Sequence, residues 1–176
     1  MGNSCVRENV KEVSTTPRIR ESKEIEWKDT QPFVVPIKGG RVIKVYDGDT
    51  ITVANYLPYK GSPLYRFSVR LNGIDTPEIK GKNENEKKLA VIARDTLRDK
   101  ILNHDVELRA VQSEKYGRVL ATVYFKNENI NQWMIDQHFA VEYDGGTKKV
   151  PDNWMKYYND KKTGHLKVNT YINCTL

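Results

Sequence analysis

Three acidic residues and two arginines stand out in this chain, because their types and spacing fit metal-assisted cleavage of a phosphodiester. Asp49 lies in an Asp-Gly-Asp-Thr run, and Asp75 and Glu78 lie in an Asp-Thr-Pro-Glu run further along. Aspartate oxygens suit a hard cation such as Ca²⁺ or Mg²⁺, and a glutamate is a candidate general base. Arg70 and Arg118 carry planar guanidinium groups that match phosphate oxygens, which a lysine would meet only as a point charge.

Each of these motifs also has a plainer interpretation when it is taken alone. Asp-Gly is a common tight-turn signal, and Asp75-Thr76-Pro77-Glu78 fits a turn before a loop. Tyr116-Gly117-Arg118 fits a hairpin turn with a solvated arginine. Only the joint occurrence of the motifs favours a functional site over three unrelated turns.

The strands that must position these residues are indicated by alternating apolar residues. Alternation within residues 43–53 predicts two strands joined or bent at the Asp-Gly turn. Phe67, Val69 and Leu71 alternate with polar residues, so we expect Arg70 on the face opposite the apolar one. There it could meet a ligand at little burial cost.

A helix is predicted next, since apolar residues between 89 and 101 repeat at spacings of three and four. Asn83 and Glu86 resemble the capping box that begins such a helix. The remaining predicted elements are strands at 106–111, 121–125 and 140–143 and helices at 130–137 and 151–158, with Pro151 in the first turn of the last helix. Several strands and one long helix predict a mainly β fold with helices (α+β). The leading candidate is a five-stranded Greek-key oligonucleotide-binding barrel with about three helices packed on it.

Composition divides the chain into three predicted parts. Residues 1–38 mix charges of both signs without an apolar period, which predicts a flexible N-terminal tail. Residues 39–165 carry the motifs and the predicted barrel, and residues 166–176 form a C-terminal extension. The net charge of +6 and the pI of about 9.2 favour polyanionic partners without establishing them.

The first 30 residues lack the apolar stretch of a secretory signal, so we expect an intracellular, cytoplasmic protein. Gly2 is a candidate for myristoylation and Cys5 for palmitoylation, although position 6 is Val where the usual motif has Ser or Thr. Acylation would add membrane association. The alternative for this segment is an ordinary disordered leader.

From about residue 41 to residue 143, the chain resembles the staphylococcal nuclease (thermonuclease) family. The shared motifs are the Asp-Gly-Asp-Thr turn, an arginine shortly before Asp-Thr-Pro-Glu, and Tyr-Gly-Arg downstream of the first long helix. The resemblance implies an oligonucleotide-binding barrel and a Ca²⁺-dependent nuclease that leaves 3′-phosphate and 5′-hydroxyl ends. After Tyr143 the chain departs from the family pattern, because many members continue into a longer basic helix.

The resemblance also implies roles for individual residues. Asp49 and Asp75 would bind Ca²⁺ through carboxylates and Thr76 through its backbone carbonyl, while Glu78 would act as the base. Arg70 and Arg118 would contact the cleaved phosphate. For substrate binding the candidates are Tyr116, Tyr143 and Lys82, with packing at the barrel rim as the alternative for the tyrosines and a solvated charge for the lysine.

Three functions compete at this point. The first is an active Ca²⁺-dependent nuclease, expected to be a monomer, that hydrolyses DNA and RNA and prefers single-stranded or frayed substrates. The second is a catalytically inactive nucleic-acid-binding module on the same barrel. The third, a membrane-tethered scaffold, leaves the acids and arginines unexplained. The intact set of acids and arginines favours the first function.

Overall fold

The structure is a computed structural model that describes residues 24–81, 83–114 and 116–160 of the 176-residue chain. Its residues fall into two compact units, with the second beginning at Phe33. In the first unit, residues 24–32 are all exposed and include a short 3-10 helix, Trp27–Asp29. The second unit contains the barrel. The predicted Gly2, Cys5 and Lys82 lie outside the described residues, as does the extension at 166–176.

The barrel unit contains long strands, short two-residue strands and helices. The strands are β1 (Gly39–Val45), β2 (Thr50–Tyr56), β3 (Leu64–Leu71), β4 (Ile74–Asp75), β5 (Asp105–Ser113), β6 (Val119–Phe125), β7 (Glu128–Asn129) and β8 (Val141–Glu142). The helices are α1 (Glu84–Ile101), α2 (Ile130–Asp136) and α3 (residues 154–160, the end of the described range).

Five strands form the barrel in the order β3-β2-β1-β5-β6, with antiparallel neighbours throughout. A parallel pairing of β3 with β6 closes the sheet on itself. β7 continues the sheet beyond β6, and β4 pairs with β8 separately. This is the topology of an oligonucleotide-binding barrel, so the predicted fold class is confirmed.

The alternation predicted from the sequence matches the burial of the strands. On β3, Val69 and Leu71 are fully buried, Arg70 between them is partly buried, and Ser68 just before them is exposed. The core also begins earlier than the predicted tail boundary at residue 38, since Ile37 is only 4% exposed. The backbone N–H of Leu108 on β5 donates to the carbonyl of Lys38 at 2.9 Å, which attaches this segment to the barrel.

Helix α1 packs its apolar face on the barrel, as its spacing predicts, but the expected capping box does not form. The side chain of Asn83 caps the helix by accepting from the N–H of Asn85 at 2.8 Å. Glu86 instead accepts from the backbone N–H of Glu78 at 3.1 Å. The carboxylate predicted to close the cap therefore holds the loop that carries the candidate base.

Helix α3 also begins later than predicted. Pro151 lies before the helix, and Asn153 caps it by accepting from the N–H of Lys156 at 3.0 Å. Asparagine is a preferred N-cap residue, which explains why the helix starts after Asn153 and not at the proline. Within the described residues, no helix is both long enough and apolar enough to cross a membrane.

Candidate active site

The turn between β1 and β2 holds Asp49 in a fixed position. The N–H groups of Tyr46 and Asp47 donate to the carbonyl of Thr50 at 2.9 and 3.4 Å, and the N–H of Asp49 donates to the Asp47 carboxylate at 3.1 Å. The hydroxyl of Thr50 donates to Asp49 Oδ1 at 2.8 Å. The two interpretations of Asp-Gly-Asp-Thr, as a turn and as part of a functional site, are thus compatible, because the turn itself holds Asp49 in place.

Gly48 in this turn packs closely on the next motif. A Cβ added to Gly48 would lie 3.1 Å from the side chain of Thr76. Thr76 is itself only 5% exposed. The Asp-Gly-Asp-Thr turn therefore rests directly on the Asp-Thr-Pro-Glu segment, which places two distant sequence motifs side by side.

Arg70 links the two candidate metal-binding aspartates. Its Nη1 pairs with Asp49 Oδ2, and its Nη2 lies 3.7 Å from Asp75 Oδ1. Nη2 also donates to the carbonyl of Ile74 at 3.3 Å. The strand pattern predicted that Arg70 would be placed at little burial cost, but its side chain is only 13% exposed. The ion pairs with the two aspartates offset the cost of burying its charge.

Lys148 is the residue of this site that the sequence analysis missed. Its Nζ lies 2.9 Å from Asp75 Oδ1 and 3.4 Å from Glu78 Oε1, so one ammonium bridges the candidate ligand and the candidate base. Burial by itself would lower the pKa of Lys148, but the neighbouring carboxylates raise it overall. Lys148 thus stays protonated and neutralises part of the acidic charge.

Arg118 approaches the site from the start of β6. It donates to the Glu114 carboxylate through Nε at 2.6 Å and Nη2 at 2.7 Å, a bidentate pair. The Glu114 hydrogen bond is the main reason that the pKa of Arg118 is raised. Burial raises the pKa of Asp47, while hydrogen bonds from Thr50 and the positive charges of Arg70 and Arg118 act in the opposite direction. Asp47 and Arg118 also line the same small cleft.

The two predicted tyrosines have different surroundings. Tyr116 is 74% exposed. Tyr143 is half-buried, donates its backbone N–H to the carbonyl of Gly73 at 2.9 Å, and lines a cleft of about 580 Å³ together with Glu114. Glu114, which lines this cleft with Tyr143, forms the salt bridge to Arg118. The structure thus places Tyr143 beside a cleft.

The donor set fits a hard cation in its chemistry. The carboxylates of Asp49 and Asp75 converge on a single guanidinium, so the structure already holds one positive charge between them. Both residues are buried, at 7% and 3% exposure, and both offer oxygen atoms only. In the described part of the chain no three His, Cys, Asp or Glu side chains are grouped to hold a metal. The predicted Ca²⁺ ligands are the carboxylates of Asp49 and Asp75 and the backbone carbonyl of Thr76, so they include only two such side chains.

The comparisons with known proteins agree with this geometry. Residues 68–163 match the family described as staphylococcal nuclease homologue. An uncharacterized endonuclease of Haemophilus influenzae is 36% identical over 103 residues, covering 58% of this chain and 51% of that protein. An uncharacterized endonuclease of Escherichia coli is 30% identical over 106 residues, covering 60% and 61%. A probable endonuclease of Schizosaccharomyces pombe is 32% identical over 86 residues, covering 45% and 37%.

This chain therefore spans about half the length of the curated relatives it matches. The matched range includes Arg70, Asp75, Glu78 and Arg118. The turn that carries Asp49 precedes this range, so its assignment to the site rests on the contacts described above. Because the match covers more than half of the 176 residues, the chain belongs to the staphylococcal nuclease homologue family.

Proposed function

We propose that this chain is a nuclease that hydrolyses phosphodiester bonds in DNA and RNA. The observation that carries the proposal is the bridge formed by Arg70 between Asp49 and Asp75, with Arg118 lining a cleft together with Asp47 and Thr50 of the same turn. The names of the relatives, which are endonucleases, support the same reaction class. Membership of the family supports it further.

The arginines supply charge where the reaction needs it. Negative charge accumulates on the phosphate oxygens as water attacks phosphorus, and fixed cations stabilise that state more than the substrate. The bonds from Arg118 to Glu114 use Nε and Nη2, so we assign Nη1 to the phosphate. Arg70 is rigidly held by its aspartates, which means that little reorganisation is needed when the phosphate arrives.

Glu78 is the proposed general base. Its side chain is 61% exposed, so water reaches it readily. Its backbone N–H is fixed by the Glu86 carboxylate at 3.1 Å, and its carboxylate lies 3.4 Å from Lys148 Nζ. These contacts hold the carboxylate beside Asp75, where it can remove a proton from water attacking in line with the leaving oxygen.

We propose Ca²⁺ as the cofactor, held by the carboxylates of Asp49 and Asp75 and the carbonyl of Thr76. A bound Ca²⁺ would polarise the phosphate and lower the pKa of nearby water. Mg²⁺ should substitute poorly, because it demands stricter octahedral geometry and loses its water reluctantly. The family resemblance supports 3′-phosphate and 5′-hydroxyl products.

A direct assay tests this proposal. Purified protein is incubated with supercoiled plasmid, single-stranded DNA and RNA, first with Ca²⁺ and then with excess EGTA. We expect cleavage in Ca²⁺, faster on single strands, and none after chelation. Product ends are checked by direct kinase labelling of 5′-hydroxyls and by blocked 3′ extension that phosphatase treatment restores.

The matched control for this assay is Arg41→Ala, which removes an exposed arginine from the same barrel. It should cleave as the unaltered chain does, while Arg118→Ala should not. Binding of DNA without cleavage in any divalent cation would instead support the inactive binding module. Robust cleavage in Mg²⁺ with none in Ca²⁺ would contradict the metal assignment.

For localisation we propose a cytoplasmic protein, monomeric, with membrane association only if Gly2 and Cys5 are both acylated. A single myristoyl chain binds membranes at about 10⁴ M⁻¹, which is marginal, so two chains are needed. In a eukaryotic cell, Gly2→Ala should release any membrane-bound protein. A chain shortened to start at Gln31 should retain full activity, because the barrel unit begins at Phe33. Loss of activity on truncation would contradict this.

A further inference from the structure

A second cleft lies on the outer surface of β1, β2 and β3, beside Arg118. Its volume is about 260 Å³, and its lining includes Lys44, Tyr46, Thr52, Ser68 and Arg118. It shares no lining residue with the larger cleft that contains Tyr143 and Glu114. Since Glu114 is the salt-bridge partner of Arg118, the two clefts meet at this ion pair.

The register of the strands explains how the cleft is built. Lys44 on β1 pairs with Thr52 on β2, and Thr52 pairs with Ser68 on β3, so the three side chains form a row across the sheet. A bulge between Val42 and Lys44 shifts the register of β1 at this point. Bulges beside active sites commonly re-aim a side chain, and here the bulge sets Lys44 opposite Thr52.

Tyr46 gives the cleft a face for stacking. Its side chain is 53% exposed although its backbone is fixed by the hydrogen bond to Thr50 at 2.9 Å. The Nζ of Lys44 lies 5.5 Å from the centre of its ring. An exposed aromatic ring next to a lysine is the combination by which single-strand sites bind a base and a phosphate together.

The size and polarity of the cleft favour one nucleobase. At about 260 Å³ it is smaller than the roughly 300–1,000 Å³ of pockets for drug-sized ligands. Thr52 and Ser68 offer hydroxyls that both donate and accept, and Asp47 adds a carboxylate to the lining. Such groups can meet the edge of any base, so little sequence preference is expected.

We propose that this cleft is a nucleotide subsite: Tyr46 stacks on the base next to the cleaved phosphate, on the side away from Tyr143, and Lys44 binds the adjoining phosphate. The proposal rests on the nuclease function above, because a strand crossing Arg118 must carry a nucleotide on each side. It also gives a reason for single-strand preference, since a base paired in a duplex cannot turn to stack on Tyr46.

The test measures binding of fluorescein-labelled dT12 by anisotropy in EDTA, where no cleavage occurs. Tyr46→Ala should raise Kd about fivefold or more, the usual loss for one stacked base. Tyr46→Phe should stay within about twofold of the unaltered chain, because the ring remains. Tyr56→Ala is the matched control, since Tyr56 is 60% exposed and does not line this cleft.

Two further arms separate stacking from general effects. On a strand with abasic sites at every position, Tyr46→Ala should bind as the unaltered chain does. Lys44→Ala should lower the slope of log Kd against log salt by about 0.7, the value for one phosphate contact on a single strand. Equal losses for Tyr46→Ala and Tyr56→Ala, or an equal loss on abasic DNA, would overturn the subsite.

These results are distinguishable from failure of the proposed function. If the unaltered chain cleaves neither DNA nor RNA, the nuclease proposal fails. If it cleaves both while Tyr46→Ala binds dT12 normally, only the subsite is wrong. A circular dichroism spectrum for each variant confirms that the barrel is intact.

Discussion

Two arginine–aspartate pairs connect neighbouring parts of this barrel, and their surroundings differ sharply. Arg41 on β1 donates to Asp105 on β5 through two short bonds of 2.6 and 2.7 Å, and both side chains are more than half exposed. Arg70 on β3 pairs with Asp49, and there both side chains are nearly buried, at 13% and 9% exposure of the side chain. The exposed pair forms two parallel hydrogen bonds, yet the buried pair holds the site.

The comparison shows that burial, more than bond geometry, decides what an ion pair can do. Water and dissolved salt screen the attraction between Arg41 and Asp105, so this exposed pair adds little to stability. Inside the site Asp49 and Asp75 have lost their water, so their charges need Arg70 and Lys148. A buried charged group can bind an ion of opposite charge strongly, because little water screens the attraction.

The largest expected difference between the two arginines is in turnover. Arg70→Ala should lower kcat about 10²- to 10³-fold, the size typical of losing a fixed charge-stabilising group, whereas Arg41→Ala should change it less than twofold. Arg118→Ala and Glu78→Gln should each cost about 10²-fold or more. Rates on plasmid in Ca²⁺ measure all four. Normal turnover in the three site variants would refute the assignment.

The next difference is in stability without metal. Arg70→Ala leaves two buried carboxylates short of a partner and should lower the free energy of unfolding by about 3 kcal/mol in EDTA. Ca²⁺ should restore part of this loss, because it binds only the folded site and replaces the missing positive charge. Urea denaturation with and without Ca²⁺ gives both values. A variant as stable as the unaltered chain in EDTA would show that the carboxylates are better solvated than their burial indicates.

A smaller effect is expected from Lys148, which is 47% exposed yet touches Asp75 and Glu78. Lys148→Ala removes a cation that competes for Asp75, so Ca²⁺ should bind about fivefold more tightly, equivalent to roughly 1 kcal/mol. Isothermal titration with Ca²⁺ measures the change. Lys149→Ala removes the neighbouring exposed lysine and is the control. Weaker Ca²⁺ binding in Lys148→Ala would mean that the lysine supports the site and does not compete in it.

The smallest effect concerns Asp105, whose pKa is lowered by the hydrogen bond from Arg41. A lowered pKa in the folded state gives stability that is present above the ordinary aspartate pKa of about 3.9 and lost as pH falls below it. Asp105→Asn should therefore be slightly less stable than the unaltered chain at pH 7 and equal to it under strong acid. Urea midpoints across this range test the sign. A loss at pH 7 as large as that of Arg70→Ala would remove the contrast between the pairs.

Much of the fold follows from local sequence patterns. The alternation in β2 and β3 and the three-and-four spacing of α1 each reflect one buried face, and such periods are readable over seven or more residues. The pairing of β4 with β8 was not predicted as such, because two-residue strands are too short to show a period. The start of α3 was misplaced because Asn153 and Pro151 are both plausible first-turn signals.

The candidate site was predictable where its residues form motifs and unpredictable where they do not. The turn at Asp49 and the segment at Asp75 each carry a local signature. Lys148 has none, since it lies in a Thr-Lys-Lys run and meets Glu78 from 70 positions away. Tyr46 follows β1 and belongs to no recognisable motif. Only the folded structure shows that it lines a cleft together with Arg118.

The parallel pairing of β3 with β6, here called the seam, has a consequence for when the candidate site is assembled during folding. It pairs Val69 with Val119 and Arg70 with Leu120, which lie far apart in the sequence, so that Arg118 stands two residues before the partner of Arg70. Long-range pairings of this kind form late, after the local hairpins, because closing a long loop costs entropy before any contact repays it. On refolding from urea, circular dichroism should therefore recover before nuclease activity. Until that seam closes, we expect the chain to have no nuclease activity.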